Sequence, residues 1–344
     1  MIQDSLIFRG RDNIKPYVYP QMIDYVNAID DSFWTVRKFR FERDILDFNY
    51  NLTEVERTVV KRAMLAISHV ENTVKTYFGK IGDRLPHPEI QFCGAKFSAN
   101  EVTHSLAYSQ FLEEAGLNSE FLKLSSVDCM EGRTQYLKKY IRGVNSRSNK
   151  EWLKSHILFT FLVENISLYA PFFLMSATKK YSQKMKTVGK VIQATAREEQ
   201  LHTLFGLEII KIVRKENPEW FDGEMENKIR RNIRKAIKAE EGVIEWMFEY
   251  GEPDYVSKQQ VMEYLKFRAN DSLQLLGYSP EYEINKELRE ASKFMDVMLK
   301  SKVTGDFFDE ELTDYNKNIE FKKEGLHEKL KQKYAQELKI RLGR

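Results

Sequence analysis

The chain has 344 residues, 42% hydrophobic and 31% charged, with a formal net charge of +3. That is ample for a continuous buried core and too near neutral for the whole molecule to be a polyanion binder, so direct nucleic-acid binding is not expected. Two cysteines, Cys93 and Cys129, make no disulfide framework, and Met1-Ile2-Gln3-Asp4 opens no secretory signal, so a reducing cytoplasm is the expectation.

Apolar residues recur three and four apart along most of the chain, and prolines number only eight, which predicts helices throughout and requires no sheet. In chain order they are expected at roughly 18–30, 52–79, 87–115, 118–144, 149–179, 183–216, 218–250, 255–277, 284–301 and 325–342. Asn51-Leu52-Thr53-Glu54 and Asn217-Pro218 read as helix starts, and Gly116 and Gly251 as stops. The longest apolar run, residues 157–163, is interrupted by Thr160 and ends at Glu164. It falls far short of the ~20 residues of a membrane span, so no membrane partner is expected. Helices this long, joined by short loops, pack as antiparallel bundles. The basic residues that gather after position 316 read first as a solvated helix face.

One chemical pattern occurs twice: Glu101-Val-Thr-His104 and Glu199-Gln-Leu-His202. Positions three apart share a helix face, so each carboxylate and imidazole point the same way. Two such pairs, plus one glutamate from each of two other helices, form the ligand set of ferritin-like dimetal carboxylate proteins. Glu71 and Glu164, each inside an apolar helix, supply the remaining two. A lone carboxylate buried there is costly unless it is paired or binds an ion, and mixed oxygen and nitrogen ligation suits iron or manganese. A single Glu-x-x-His is unremarkable in a helical chain; two on long helices, each with an upstream glutamate, are not. His87, His156 and His327 read as loop or surface residues, and His69 as a packed histidine. Tyr108 lies on the face of Glu101 and His104, one turn on, either as a core tyrosine or as a residue that surrenders a hydrogen atom to an oxidising centre.

Ser98-Ala-Asn-Glu-Val-Thr-His-Ser-Leu-Ala-Tyr108 resembles the signature of the small subunit of class I ribonucleotide reductases, in which Glu-x-x-His precedes the radical tyrosine. Ala196-Arg-Glu-Glu-Gln-Leu-His202 resembles that family's Arg-Asp-Glu-x-x-His box, and Phe33-Trp34-Thr-Val its opening stretch. Residues 267–277 and 306–315 resemble later landmarks. The resemblance implies an all-α, ferritin-like helical bundle with additional helices and a dimetal site in its core, over residues 1–316. Glu71, Glu101 and His104 would bind one metal and Glu164, Glu199 and His202 the other, with Glu101 and Glu199 bridging a pair that is Fe/Fe, Mn/Mn or Mn/Fe. Tyr108 would store the radical. Trp34 and Glu198 would start the electron path, Glu198 linking Trp34 to His104, and Tyr315 would pass the hole to a large catalytic subunit that reduces nucleoside diphosphates. A homodimer, and an activating flavoprotein, are the other partners it implies.

The chain departs from the family's pattern in places. Glu71 and Glu198 stand where Asp is usual, and Arg37, Lys38 and Arg40 where acidic residues usually follow the tryptophan. Residues 317–344 form a basic amphipathic tail with Leu326, Leu330, Tyr334, Leu338 and Leu342 four apart, either a partner-docking helix or one packed on its own bundle. A ligand-binding oxidase or monooxygenase on the same bundle is the competing reading, but it has no use for an exit path through Trp34, Glu198 and Tyr315. Iron storage or a purely structural bundle is the third; storage calls for a hollow shell and many surface carboxylates, which this longer, slightly basic chain fits poorly.

Overall fold

A computed structural model describes residues 6–11, 13–74, 76–143 and 145–300. All regular structure among them is helical. The principal helices are α1 (Met22–Asp31), α2 (Glu42–Leu46), α3 (Glu54–Val74), α4 (Pro88–Glu114), α5 (Asn118–Lys123), α6 (Asp128–Gly143), α7 (Asn149–Ser182), α8 (Lys186–Glu216), α9 (Gly223–Met247), α10 (Lys258–Leu275), α11 (Lys286–Ala291) and α12 (Lys293–Lys300).

Local chemistry explains many of the boundaries. Thr53 and Glu56 form a reciprocal cap on α3: the Thr53 hydroxyl accepts from the Glu56 amide at 3.2 Å, and the Glu56 carboxylate from the Thr53 amide at 2.8 Å. Pro88 occupies the first turn of α4, where a missing N–H costs nothing. The buried Asp44 accepts from the Thr187 and Val188 amides, and Asp47 from the Met185 amide, so two carboxylates from the α2 region cap α8 across the fold. Gly116 and Gly251 take φ of +70° and +123°, which ends the preceding helices as expected.

Four long helices make the central bundle. α3 packs on α4 and α7, and α8 lies against both α4 and α7; α6, α9 and α10 cover the outside. α7 is long and apolar enough to cross a membrane by length and composition, yet its apolar stretch is wholly buried in the bundle, which makes it the core helix. Several expected spans are corrected. The helix expected over 118–144 breaks at residues 124–127, that over 284–301 splits at Ser292, and that over 218–250 becomes regular only at Gly223, capped by Asp222.

The largest departure lies within α7, which widens into a π-helix over Phe159–Ser167. Such a stretch leaves carbonyls poorly paired, and buried side chains take them up. The Ser167 hydroxyl donates to the Leu162 carbonyl at 2.5 Å, Arg268 donates to the Asn165 carbonyl at 3.2 Å, and Arg133 donates to the Ser167 carbonyl. Arg133 is itself fully buried and neutralised by Glu240 at 2.8 Å, with a further bond to the Ala66 carbonyl at 2.8 Å, tying α3, α6, α7 and α9 together. A buried charge is tolerable only with partners of this kind.

The widened segment also needs room. A Cβ at Gly206 of α8 would sit 2.3 Å from the Thr160 hydroxyl oxygen and 2.6 Å from its methyl carbon. Gly206→Ala is therefore expected to destabilise the fold by about 1–3 kcal/mol through overpacking. It should also push α8, which carries Glu199 and His202, away from the segment carrying Glu164. Urea unfolding and metal titration measure the two effects; an unchanged midpoint would show that the close approach is unimportant.

Candidate metal centre

Each of the four central helices delivers carboxylate to one point. Glu71 comes from α3, Glu101 from α4, Glu164 from the π-helical part of α7 and Glu199 from α8; His104 and His202 follow their glutamates by three residues. All six side chains are buried, none more than 1% exposed. They divide into two overlapping groups: Glu71, Glu101, His104 and Glu199, and Glu101, Glu164, Glu199 and His202. Within each, one ligand atom per residue lies within 4.8 Å of all the others. Glu101 and Glu199 belong to both. The His104 Nδ1 lies 3.1 Å from Glu199 and 3.7 Å from Glu71, and the His202 Nδ1 lies 3.1 Å from Glu101, 3.2 Å from Glu199 and 3.4 Å from Glu164.

The electrostatics are those of a cation site. Burial pushes the Glu71 and Glu164 carboxyls well above the ordinary range, and the neighbouring glutamates add to it. Burial works against the Glu199 carboxylate too, but the Glu164 carboxyl, His202 and His104 outweigh it and hold Glu199 well below that range. Both imidazoles resist desolvation only through these acids: Glu71 heads the groups raising His104, and Glu199 those raising His202. Both oxygens of Glu71 and of Glu101, one each of Glu164 and Glu199, and the His104 Nδ1 make no hydrogen bond. So many orphaned buried atoms facing one another are expensive without a partner. Two divalent ions would satisfy them, and the charge of four carboxylates would balance those ions.

The surroundings of the two imidazoles differ. The His104 Nε2 donates to Glu198 at 2.7 Å, the same Glu198 oxygen accepts from the Trp34 indole at 3.0 Å, and the Trp34 ring stacks at 6.1 Å and 17° on His104. Ser32 and Asn100 donate to the other Glu198 oxygen at 3.3 and 3.2 Å. A carboxylate behind a ligating histidine fixes its tautomer and raises its basicity. Glu198, one methylene longer than the usual Asp, reaches both rings because four donors hold it. By contrast, the His202 Nε2 has no partner, and the imidazole packs among the rings of Phe78 and Phe97, with centroids 4.9 and 4.6 Å from its own.

Tyr108 is buried on the same face of α4 as Glu101 and His104, and its hydroxyl makes no hydrogen bond. Burial raises its pKa well above the ordinary value, with the Glu71 charge adding to the effect. Arg37, Lys38 and Arg40 are exposed and leave the Trp34–Glu198–His104 contacts intact. Tyr315, His327 and the tail 317–344 lie outside the described residues. Of the histidines expected in loops or at the surface, His87 lies in the loop before Pro88 but is buried, meeting the Leu6 carbonyl at 3.1 Å, and His156 is buried within α7, meeting Tyr77 and Gly206. His69 is half-buried beside Thr134 at 2.9 Å and takes no part in the cluster. Asn100, Ser32, Phe78 and Phe97 carry no sequence signal for their roles around the centre, because only tertiary contact brings them there.

Comparison with known proteins agrees with this geometry. A sequence profile described as "Ribonucleotide reductase, small chain" matches residues 11–289. A protein of Invertebrate iridescent virus 3, named "Probable ribonucleoside-diphosphate reductase small subunit 048L", is 22% identical over 329 residues, covering 90% of this chain and 86% of the viral one. Among solved structures, the ribonucleotide reductase R2 subunit from Clostridium botulinum superposes with a TM-score of 0.72 at 20% identity, over 82% of this chain and 89% of its own. Dimanganese(II)-NrdF from Streptococcus sanguinis does so with a TM-score of 0.65 at 16% identity, over 83% and 100%. With a profile match across most of its length and a buried carboxylate–histidine cluster built on a matching all-helical fold, this chain belongs to the ribonucleotide reductase small-chain family.

Proposed function

We propose that this chain is the radical-generating small subunit of a class I ribonucleoside-diphosphate reductase. The convergence of six side chains around a shared pair of carboxylates carries the reading. Glu71, Glu101 and His104 would hold one ion and Glu164, Glu199 and His202 the other, with Glu101 and Glu199 common to both. Two redox-active ions, Fe/Fe, Mn/Mn or Mn/Fe, supply one-electron oxidising power when bound; the Streptococcus sanguinis neighbour is a dimanganese(II) protein.

The chain's own residues do the rest. The four carboxylates fix the charge of the site, and the apolar rings of Phe78 and Phe97 help exclude water from the His202 side. Tyr108 offers a buried hydroxyl with no competing hydrogen bond, suited to giving up a hydrogen atom and to storing the resulting radical away from solvent. Glu198 holds Trp34 in hydrogen-bonded series with His104, a conduit that an oxidase acting on its own substrate does not need. Tyr315, in the family's pattern, carries the hole on to the large catalytic subunit, and the basic tail 317–344 is the segment suited to docking there. A soluble cytoplasmic location follows from the same reading. An activating flavoprotein is the partner to seek if manganese is the metal.

A second copy of the chain is the partner with most support on the surface. Phe92, Ala95, Ala99, Val102 and Leu106 recur three and four apart and are all exposed on α4, the helix that carries Glu101, His104 and Tyr108. The stripe runs about 20 Å at 1.5 Å per residue, and an unbroken apolar strip of this kind marks an association surface. No local signal in the sequence separates this stripe from the buried face of the same helix. Leu106→Asp is expected to turn a dimer into a monomer by light scattering; an unchanged mass would place the interface elsewhere.

The test of the function combines elemental analysis, electron paramagnetic resonance and reductase assay on protein loaded with iron, manganese or both. Two metal ions per chain, and nucleoside diphosphate reduction only when a large subunit is added, are the expected results. Trp34→Phe should keep the metals and the stored radical while losing reductase activity. Oxidation of a small organic substrate by the chain alone, unaffected by Trp34→Phe, would refute the reading.

A further inference from the structure

The side of the His202 imidazole whose Nε2 has no partner leads to a second set of oxidisable rings. Phe78, 4.9 Å from His202, meets Tyr77 edge-on at 5.3 Å. The Tyr77 oxygen lies 2.5 Å from the His156 Nδ1, and the His156 Nε2 lies 3.1 Å from the Gly206 carbonyl oxygen. A carbonyl can only accept, so Nε2 carries the hydrogen, and Nδ1 is left as the lone pair to which the Tyr77 hydroxyl donates. His156 then stacks on Trp152 at 5.0 Å and 6°, Trp152 meets Phe8 at 5.6 Å, and Phe8 meets the half-buried Trp220 at 6.1 Å. A cleft of about 240 Å³, edged by Lys80, Arg84 and Arg147, reaches Tyr77 and Trp152 from the surface.

A buried tyrosine with a satisfied hydroxyl is ordinary core packing. Two features exceed that. The acceptor is an imidazole locked as a base by a carbonyl on its far side, and the pair stands one phenylalanine ring from a side chain of the metal centre. We propose that Tyr77 is a second redox-active tyrosine, with His156 as its proton acceptor, which takes up an oxidising equivalent that Tyr108 does not capture; this rests on the dimetal reading above.

The step balances within the chain. One electron leaves the Tyr77 ring for the one-electron oxidant generated at the dimetal centre, which is reduced by one. The Tyr77 O–H bond breaks, its proton forms an N–H bond at the His156 Nδ1, and a neutral phenoxyl radical and an imidazolium result. The imidazolium keeps its Nε2–H bond to Gly206. Burial lowers the His156 pKa to about 4, so the ring is neutral and its lone pair free before the transfer; an oxidised phenol is acidic enough to protonate it. Trp152, stacked on His156, is the next ring in line towards the surface.

Tyr108→Phe unmasks the relay. In that variant, loaded with metal and exposed to oxidant, rapid freezing should trap a tyrosyl radical whose paramagnetic resonance pattern collapses with ring-deuterated tyrosine. Tyr108→Phe/Tyr77→Phe, with metal content unchanged, should lose it. Persistence of the signal in the double variant, or its absence from metal-replete Tyr108→Phe, would overturn the proposal. A second measurement needs no metal: nitrogen NMR of the metal-free protein should show His156 protonated at Nε2 and bare at Nδ1, with the Nδ1 resonance moved by Tyr77→Phe. A proton on Nδ1 would overturn the relay whatever the metal content. A wild-type chain that takes up no metal would overturn the dimetal reading and the relay with it, and the nitrogen spectrum tells the two failures apart.

Discussion

Glu101→Ala is expected to strip both metals from the protein. Glu101 lies in both halves of the cluster, within 3.1 Å of the His202 Nδ1 and 3.8 Å of the His104 Nδ1, so its loss removes a donor from each site at once. Losing a group that merely supports a ligand already costs 10–100-fold in affinity. Loss of a shared ligand should exceed about a hundredfold, close to 3 kcal/mol. Thermal unfolding gives an independent reading. Saturating wild type at about a hundred times the dissociation constant should add about 3 kcal/mol of stability, and the variant should show almost none of that gain. Should elemental analysis still find two ions per chain, the assignment of Glu101 as a shared ligand is wrong.

Tyr108→Phe should separate the metal centre from the stored oxidant. The substitution removes one oxygen that makes no hydrogen bond in a fully buried site, so the fold should tolerate it and gain up to about 1 kcal/mol, since an unsatisfied buried hydroxyl is itself a cost. Metal content should stay the same. The long-lived tyrosyl signal should vanish, and reductase activity with the large subunit should fall to background. Full activity in this variant would refute a radical role for Tyr108, and would point to the metal pair as the store.

Much of the fold was legible because helical periodicity is a local property. α4 and α8 lie close to their expected bounds, and α3 starts where expected but ends at Val74, short of the expected 79; the capping pair at the start of α3, the proline in the first turn of α4 and Gly116 after it each act over a single turn. The breaks near residues 124–127 and at Ser292 were not legible, because the apolar pattern runs through them and only packing decides where a helix bends. The π-helical stretch of α7 is a stronger case. A period of 3.6 assigns Glu164 a direction, yet the widened turn re-aims it, and that widening depends on Arg133, Arg268 and the bare Cα of Gly206 reaching it from other helices.

The candidate site divides in the same way. Glu-x-x-His twice over, with Glu71 and Glu164 upstream, could be read from spacing, since residues three apart on a helix must share a face. That Glu101 and Glu199 come within 4.8 Å of Glu71 on one side and of Glu164 on the other, so that they serve both halves, and that Glu198 bridges His104 to Trp34 are consequences of side chains meeting between separate helices, far beyond the reach of a single turn. His87 and His156 show the limit most clearly. Each looks like a loop or surface residue in its local context, and each is buried where distant groups meet its ring: the Leu6 carbonyl at one nitrogen of His87, and the Tyr77 hydroxyl and Gly206 carbonyl at the two nitrogens of His156. Sequence alone determined the helices and the kinds of donor they carry; the tertiary structure decided which donors face one another, because burial and contact are properties of the packed bundle and not of any one turn.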